Sequence, residues 1–237
     1  MPSAPPTILA IDTATDVCSV AVLHGDRLTE LDEVVGNKHS ERVLPMIDDV
    51  LAEARLSLSD IEIFAFGAGP GGFTGLRIAC GVAQGLAYGK RRRVAAIGNL
   101  RAVAANAFAK GPGDLVLAAI DARMKEAYCA IYRRDGRDGQ VTEVRAPVLE
   151  LPQSLAQLAI TEKVDLVAGN ALTAFASVWP RESLWAAAPA ATSSAASIAR
   201  LARIDAASGL AVAPEQATPI YVRDHVALTI QERRQAA

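Results

Sequence analysis

The sequence contains no long apolar run, and cysteine is scarce. No stretch of 18 or more apolar residues occurs in the 237 residues, so we expect no membrane-spanning helix. The three cysteines, Cys18, Cys80 and Cys129, are far apart and form no CxxC motif, which predicts buried, reduced thiols. The first residues lack the basic segment of a signal peptide. These absences together predict a cytoplasmic protein.

Excess charge of one sign is also absent. Lys and Arg number 24, Asp and Glu number 26, and the formal net charge is −2. Tight, autonomous binding of nucleic acid needs a clustered basic surface. The near balance therefore argues against a chain that binds RNA or DNA by itself.

A pattern of elements occurs twice, 109 residues apart. Residues 11–12 (ID) end one apolar strand, and residues 120–121 (ID) end its counterpart. In each half, three β-like runs precede an amphipathic helix, a short buried strand and another helix. This order predicts an α/β protein with a duplicated ribonuclease-H-like fold of the actin and sugar-kinase superfamily (ASKHA). Two lobes with mixed sheets flanked by helices should enclose a cleft.

A turn cluster at residues 110–113 (KGPG) marks the predicted boundary between the lobes. We assign residues 1–110 to an N-terminal actin-like lobe that carries the glycine loop and the partner helices. Residues 111–237 form the C-terminal lobe, and its tail is expected to pack back on the first lobe.

The strongest local signal is the glycine loop, residues 67–77 (GAGPGGFTGLR), between a predicted strand and a predicted helix. It satisfies G-x-G-x-x-G, but a dinucleotide site also needs an acidic residue about 20 positions later, and none follows. The Gly-Lys-Ser/Thr of a Walker loop is absent too. Two interpretations stay open. Because glycine has no Cβ, the loop could let a ligand come close, or it could be a tight turn that lets another part of the backbone come close. Thr74 is the predicted N-cap of the helix.

The end of the first strand and the glycine loop together form a candidate phosphate or nucleotide cleft. Its residues are Asp12, Thr13, Gly69, Gly71, Gly72, Thr74 and Arg77. A strand-end aspartate that forms a local turn is an equally good interpretation of Asp12. In the second half, the matching residues 121–125 (DARMK) contain no glycine. A two-lobed nucleotide clamp would therefore lack half of its phosphate contacts.

These motifs resemble the bacterial TsaB family, also called YeaZ, over nearly the whole chain. The matching segments are residues 11–15 (IDTAT), 18–20 (CSV), 39–41 (HSE), 44–45 (LP), 69–78 (GPGGFTGLRI), 121–124 (DARM) with Tyr128, and 219–223 (PIYVR). The glycine-loop string is very specific. Gly72 stands where the family more often has serine, a swap between small residues.

The resemblance implies a non-catalytic scaffold subunit that takes part in making threonylcarbamoyladenosine, t(6)A, beside the tRNA anticodon. The paralogue TsaD would perform the transfer, and the complex would recruit the ATPase TsaE. The chain would need no cofactor of its own, because the complex uses ATP through TsaE, threonylcarbamoyl-adenylate, and a metal held by TsaD. His24, His39 and His225 are scattered, with no H-x-x-x-H pair, so we predict neither a metal site nor catalytic residues here.

Two predicted helices are candidates for the partner surface. The helix after the glycine loop carries Gly81-x-x-x-Gly85 and no charge between Arg77 and Lys90, so another helix could approach closely. With the helix that begins at His39, it would form a four-helix interface with the paralogue. The predicted interface residues are His39, Val43, Leu44, Ile47, Cys80, Gly81, Gln84, Gly85 and Tyr88. Alternatively, both faces pack inside the monomer. An unpaired apolar face would also favour a homodimer of the isolated protein.

Three further interpretations stay open at this stage. The chain could be an independent ATP-binding phosphotransferase of the actin-like superfamily, although the second glycine loop is missing. It could be a metallopeptidase, although the metal-ligand pair is missing. The basic run at residues 90–93 (KRRR) is either a solvated turn after a helix or a tRNA phosphate contact within the complex.

Overall fold

The computed structural model describes residues 4–136, 140–180 and 185–223. The first half of the chain forms one five-stranded sheet with three helices. Its elements are β1 (Ile8–Asp12), β2 (Val17–His24), β3 (Arg27–Val34), α1 (His39–Ala54), β4 (Ile63–Gly69), α2 (Phe73–Lys90), β5 (Arg93–Gly98) and α3 (Asn99–Lys110). The strand order is β3-β2-β1-β4-β5. The meander β1–β3 is antiparallel, whereas β4 and β5 run parallel to β1.

The second half repeats this arrangement. Its elements are β6 (Leu115–Asp121), β7 (Ala127–Asp135), β8 (Gln140–Glu150), α4 (Pro152–Thr161), β9 (Leu166–Ala168), α5 (Ala171–Ala174), β10 (Ala186–Ala188) and α6 (Ala195–Ala207). The strand order is β10-β9-β6-β7-β8. When it is written from the other edge, as β8-β7-β6-β9-β10, each strand corresponds to the strand at the same place in the first sheet. The predicted duplication is therefore confirmed. The strands β5 and β10 form one edge of each sheet, and they were not part of the predicted pattern.

One detail of the predicted repeat is wrong. The shift of 109 holds for β1 and β6, but Asp12 lies opposite Ser19 while Asp121 lies opposite Ala127. The second hairpin is thus one residue shorter, and β7 follows β2 by 108. A loop can lose a residue without disturbing the strand pairing on either side of it.

The helices and sheets alternate in five layers. Helices α1 and α2 cover the outer face of the first sheet, and α4 and α5 cover the outer face of the second. Helices α3 and α6 lie between the sheets in one continuous apolar core, in which Leu100 of α3 and Leu201 of α6 are buried. Each packs mainly on the sheet of the other half, α3 on β6 and β7, and α6 on β1 and β2. The division at residue 110 stays a prediction.

The three cysteines are free and buried, as the sequence predicted. Burial raises the pKa of Cys18 to about 11 and that of Cys129 to about 12, and it also raises the pKa of Cys80. Within the described ranges, none of the helices has the length and apolarity that a membrane span requires. His225 and the predicted tail lie outside those ranges.

Candidate functional site

A cleft of about 750 Å³ opens between the two halves. It is lined by the residues that follow β1 and β6, by the first turn of α2, and by residues 220–223 near the end of the described chain. Ligands of open α/β sheets bind at the carboxyl ends of the strands, and β1 and β6 both end here. The predicted cleft is therefore present, with residues from both halves on its walls.

Asp12 lies behind this cleft, directly before its lining residues Thr13 and Ala14, and is 3% exposed. Its carboxylate accepts hydrogen bonds from the backbone N–H of Ala14 at 3.0 Å, from Nδ2 of Asn99 at 3.1 and 3.0 Å, and from Oγ of Ser193 at 2.5 Å. Burial raises the pKa of Asp12, although these hydrogen bonds oppose the shift. Both carboxylate oxygens thus already have donors from the chain itself. The bond to Ala14 is the local turn that was the alternative interpretation of Asp12.

The sequence analysis does not predict Asn99 and Ser193 as residues of this site. Asn99 is 1% exposed and also accepts a 2.6 Å hydrogen bond from the backbone N–H of Gly69, so it ties the glycine loop to Asp12. Gly67 makes room for this network, because a Cβ there would lie 2.8 Å from both Asp12 Oδ1 and Asn99 Nδ2. A polar residue directly after the end of β5 was the available signal for Asn99. Ser193 carried none, because only folding brings it near Asp12.

The glycine loop packs against the end of β1. A Cβ on Gly75 would overlap the carbonyl oxygen of Thr13, and one on Gly71 would lie 2.7 Å from Cβ of Ala14. The backbone N–H of Gly72 donates to the oxygen of Ala14 at 2.8 Å. Thr13 Oγ1 donates to the oxygen of Gly75 at 2.7 Å. These glycines therefore make room for the chain's own backbone.

The start of α2 differs from the prediction. Gly72, in an extended conformation, is the N-cap, and the helix begins at Phe73, so the assignment of Thr74 as N-cap was wrong. Thr74 is exposed on the first turn. The Arg77 guanidinium lies 3.9 Å from the centroid of the Phe73 ring, and its Nε donates to Oη of Tyr221 at 3.1 Å. Arg77 therefore holds in place the segment that contains Tyr221.

That segment, residues 219–223, crosses the mouth of the cleft. At one end, the backbone N–H of Ile220 donates to the oxygen of Ala68 at 2.6 Å. The same approach explains Gly69, whose φ is +118° and whose added Cβ would lie 2.5 Å from the oxygen of Ile220. At the other end, Arg223 donates to Glu126 Oε2 at 2.5 Å. The segment thus ties the glycine loop to the hairpin of the second half.

The β6–β7 turn occupies the place of a second phosphate loop. Arg123, Met124 and Lys125 have φ values of 62°, 53° and 62°, a left-handed conformation that non-glycine residues seldom adopt. The Arg123 guanidinium lies 3.9 Å from a carboxylate oxygen of Asp121 and 3.8 Å from one of Asp16. Charges at this rim therefore offset one another. In the described part of the chain, no group of three or more His, Cys, Asp or Glu residues could hold a metal ion.

The structure divides the predicted partner residues into two sets. Four of them are almost entirely buried in the monomer, so little of their surface is left for a partner: His39, Val43, Ile47 and Cys80. Val43, Ile47 and Cys80 belong to the apolar core on the outer face of the first sheet, whereas His39 lines the cleft. Gln84 is half-buried and donates to the backbone oxygens of Pro214 and Ala217.

The remaining predicted partner residues form the outward face. Leu44 on α1 is 49% exposed, and Tyr88 on α2 is 76% exposed. Gly81 and Gly85 are exposed as well, and a Cβ added to either would meet no atom within 4 Å. The outward face of α2 is thus narrower than predicted, but it is open.

Two mixed sheets in the same strand order, with a cleft between them, define the duplicated actin-like fold. A family model described as "TsaD: tRNA N6-adenosine threonylcarbamoyltransferase" matches residues 31–232. The solved structure described as "YeaZ from Pseudomonas aeruginosa" superposes with a TM-score of 0.81 at 37% identity, covering 91% of this chain and 99% of that one.

Curated relatives are similar in sequence as well. The "tRNA threonylcarbamoyladenosine biosynthesis protein TsaB" of Haemophilus influenzae is 48% identical over 122 residues, 52% of each protein. The protein of the same description from Buchnera aphidicola subsp. Schizaphis graminum is 34% identical over 154 residues, 64% of this chain and 73% of that protein. The match thus spans about half the length of the first of these relatives. The chain belongs to the TsaB family, also called YeaZ, which confirms the resemblance found in the sequence.

Proposed function

We propose that the chain is a non-catalytic scaffold subunit in the biosynthesis of t(6)A in tRNA. Relatives that are named for this pathway support the assignment. The observation that carries the non-catalytic role is the saturation of Asp12, whose carboxylate is bonded to Ala14, Asn99 and Ser193. Thr13 and Ala14 pack against Gly75 and Gly71 of the glycine loop, so these glycines make room for the chain's own backbone.

The chemistry then belongs to partners. The TsaD paralogue performs the transfer and holds the metal, TsaE supplies ATP hydrolysis, and threonylcarbamoyl-adenylate is the donor. The complex binds the tRNA in the cytoplasm. This division follows from the family resemblance, and the balanced charge of the chain is compatible with it.

The outward face of α2 is the proposed docking surface for the paralogue. It carries no charge between Arg77 and Lys90, and Gly81 and Gly85 leave its backbone uncovered. Small residues let a second helix approach closely, while Leu44 and Tyr88 supply exposed apolar area beside them. In the isolated protein, a second copy would cover the same face, which gives a homodimer.

The variant Gly85→Leu tests this surface. Because a Cβ at residue 85 would meet no atom within 4 Å, and because leucine favours a helix more than glycine does, the variant should fold. We expect it to lose co-elution with the TsaD paralogue and to lower t(6)A in tRNA from depleted, complemented cells. Gln157→Leu is the matched control, since it places an exposed leucine on α4 in the other half.

Two outcomes would contradict the proposal. Undiminished co-elution of Gly85→Leu would remove α2 as the docking face. Normal t(6)A in cells without this chain would refute its role in the pathway. ATP hydrolysis by the purified chain, lost in Asp12→Ala, would instead favour the phosphotransferase alternative.

A further inference from the structure

Four consecutive cations, residues 90–93 (KRRR), project from the junction of α2 and β5. Lys90 is the last residue of α2, Arg91 is its C-cap with a φ of 54°, and Arg93 opens β5 at the edge of the first sheet. All four side chains are exposed. No other run of four cations occurs in the sequence, so this segment is the one concentrated positive charge on a chain of net charge −2.

Capping of α2 does not explain the run. The helix end is closed by its own backbone, since the N–H of Arg92 donates to the oxygen of Ala87 at 2.9 Å and that of Arg91 to Tyr88 at 3.2 Å. A favourable interaction with the helix dipole falls off beyond the last turn, and the one cation in that turn is Lys90. The charges of Arg91 and Arg92 therefore have no role in ending the helix.

Among the residues that the structure describes, the two central arginines also have no acidic partner. Lys90 Nζ donates to Ser59 Oγ at 3.3 Å, and Arg93 donates to the oxygen of Ala211 at 2.8 Å, so the ends of the run are anchored. Across the described ranges, no carboxylate oxygen lies within 4.0 Å of the Arg91 or Arg92 guanidinium. Seven arginines elsewhere do pair with carboxylates: Arg42, Arg101, Arg123, Arg134, Arg145, Arg203 and Arg223.

The run also lines a concave surface. Arg91, Arg92 and Arg93 face a hollow of about 580 Å³, with residues 213–216 on the opposite wall. Glu215 is the single carboxylate among the residues that line it. Guanidinium groups bind phosphate oxygens through paired N–H donors, and a hollow lets several of them reach one segment of a polyanion.

We propose that residues 90–93 contact the phosphodiester backbone of tRNA when the complex forms, with Arg91 and Arg92 as the principal contacts. The inference rests on the proposed function, which supplies tRNA as the polyanion. Contacts of this kind position the RNA and carry no base specificity. A chain whose net charge is slightly negative gains little from long-range attraction, so the contribution must come from this local cluster.

The test uses the chain assembled with its TsaD and TsaE partners and an unmodified, fluorescently labelled tRNA. Binding is titrated from 50 to 200 mM salt for the wild type and for Arg91→Gln/Arg92→Gln. Each phosphate contact contributes about 0.7–0.9 to the slope of log K against log salt, so the variant should lose about 1.4–1.8. At 0.1 M salt that loss corresponds to about 25- to 60-fold weaker binding. Lys110→Gln/Arg133→Gln removes the same charge at two exposed positions outside the run and is the control.

The outcomes separate the two proposals. Co-elution of the wild type with its partners tests the proposed function, and we expect the double variant to co-elute normally. An unchanged salt slope, or an equal fall in the control, would overturn the phosphate contact while leaving the complex intact. If the wild type forms no complex, the proposed function fails, and the same titration with the chain alone decides whether the run binds tRNA.

Discussion

Ser193 donates a 2.5 Å hydrogen bond to Asp12, across 181 positions of sequence. Asp12 ends β1 in the first half, whereas Ser193 lies just before α6 in the second. Asn99 donates to the same carboxylate from the start of α3. A buried carboxylate is costly unless donors surround it, and three separate segments must meet to supply them. The hydrogen-bond network around Asp12 thus joins the two halves beside the cleft.

This network predicts a pH-dependent stability. Because the pKa of Asp12 is raised in the folded state, the folded protein holds this proton more tightly than the unfolded chain. The stability that this proton contributes is fully present below 3.8, the pKa of an aspartate in the unfolded chain. It is lost as the pH rises from 3.8 to the pKa in the folded state, and the free energy of unfolding falls by about 1.4 kcal/mol per pH unit over that interval. Asp12→Asn should flatten this dependence in urea unfolding between pH 4 and 7. Asp26→Asn, at an exposed site, should not, and parallel curves for Asp12→Asn and wild type would contradict the prediction.

Two glycines of α2 should respond oppositely to alanine. Gly75→Ala brings a methyl group onto the Thr13 carbonyl oxygen, a backbone atom that cannot move aside, so we expect a loss of about 3 kcal/mol. Gly81→Ala meets open space and should stabilise the helix by about 0.5–1 kcal/mol. Chemical denaturation measures both. Equal effects in one direction would show that the close packing of the loop on β1 is absent in solution.

The ion pair between α3 and α6 should matter more than one on the surface. Arg101 binds both carboxylate oxygens of Asp205, at 2.7 and 2.9 Å, and the two side chains are 21% and 11% exposed. Asp205→Ala leaves the guanidinium without its partner, and we expect a cost of about 3 kcal/mol, the low end for a buried pair. Glu33→Ala breaks the more exposed pair with Arg42, which solvent screens, and should cost clearly less. Similar costs for the two would refute the ranking.

Thiol labelling reports on the packing of Ala217 against α2. All three cysteines should react slowly in the folded protein, because burial raises each thiol pKa. Cys80 Sγ lies 3.5 Å from the oxygen of Ala217, and Gln84 holds Ala217 in place by donating to the same oxygen. Gln84→Leu should therefore speed alkylation at Cys80 while Cys18 and Cys129 stay unreactive, as followed by peptide mass spectrometry. An equal rise at all three would indicate general unfolding instead.

Much of the fold was predictable because its elements carry local patterns. The buried strand β1, the amphipathic α1 and the turn at residues 110–113 each show in a few neighbouring residues, and the repeat made the duplication visible. The crossing of α3 and α6 onto opposite sheets leaves no local pattern, since it depends on which surfaces meet.

The sequence by itself determined the family, the duplicated architecture, and the lack of an H-x-x-x-H pair and of a second glycine loop. Each of these rests only on residue type and order. Only the tertiary structure shows which part of the chain packs against the glycine loop and which side chains donate to Asp12. Thr13 and Ala14 pack against the loop, and Asn99 and Ser193 donate to the carboxylate, through contacts that span 62 to 181 positions. A glycine or a carboxylate looks the same in sequence whether a ligand or the chain itself lies beside it. The difference is one of distance in space, which folding alone sets.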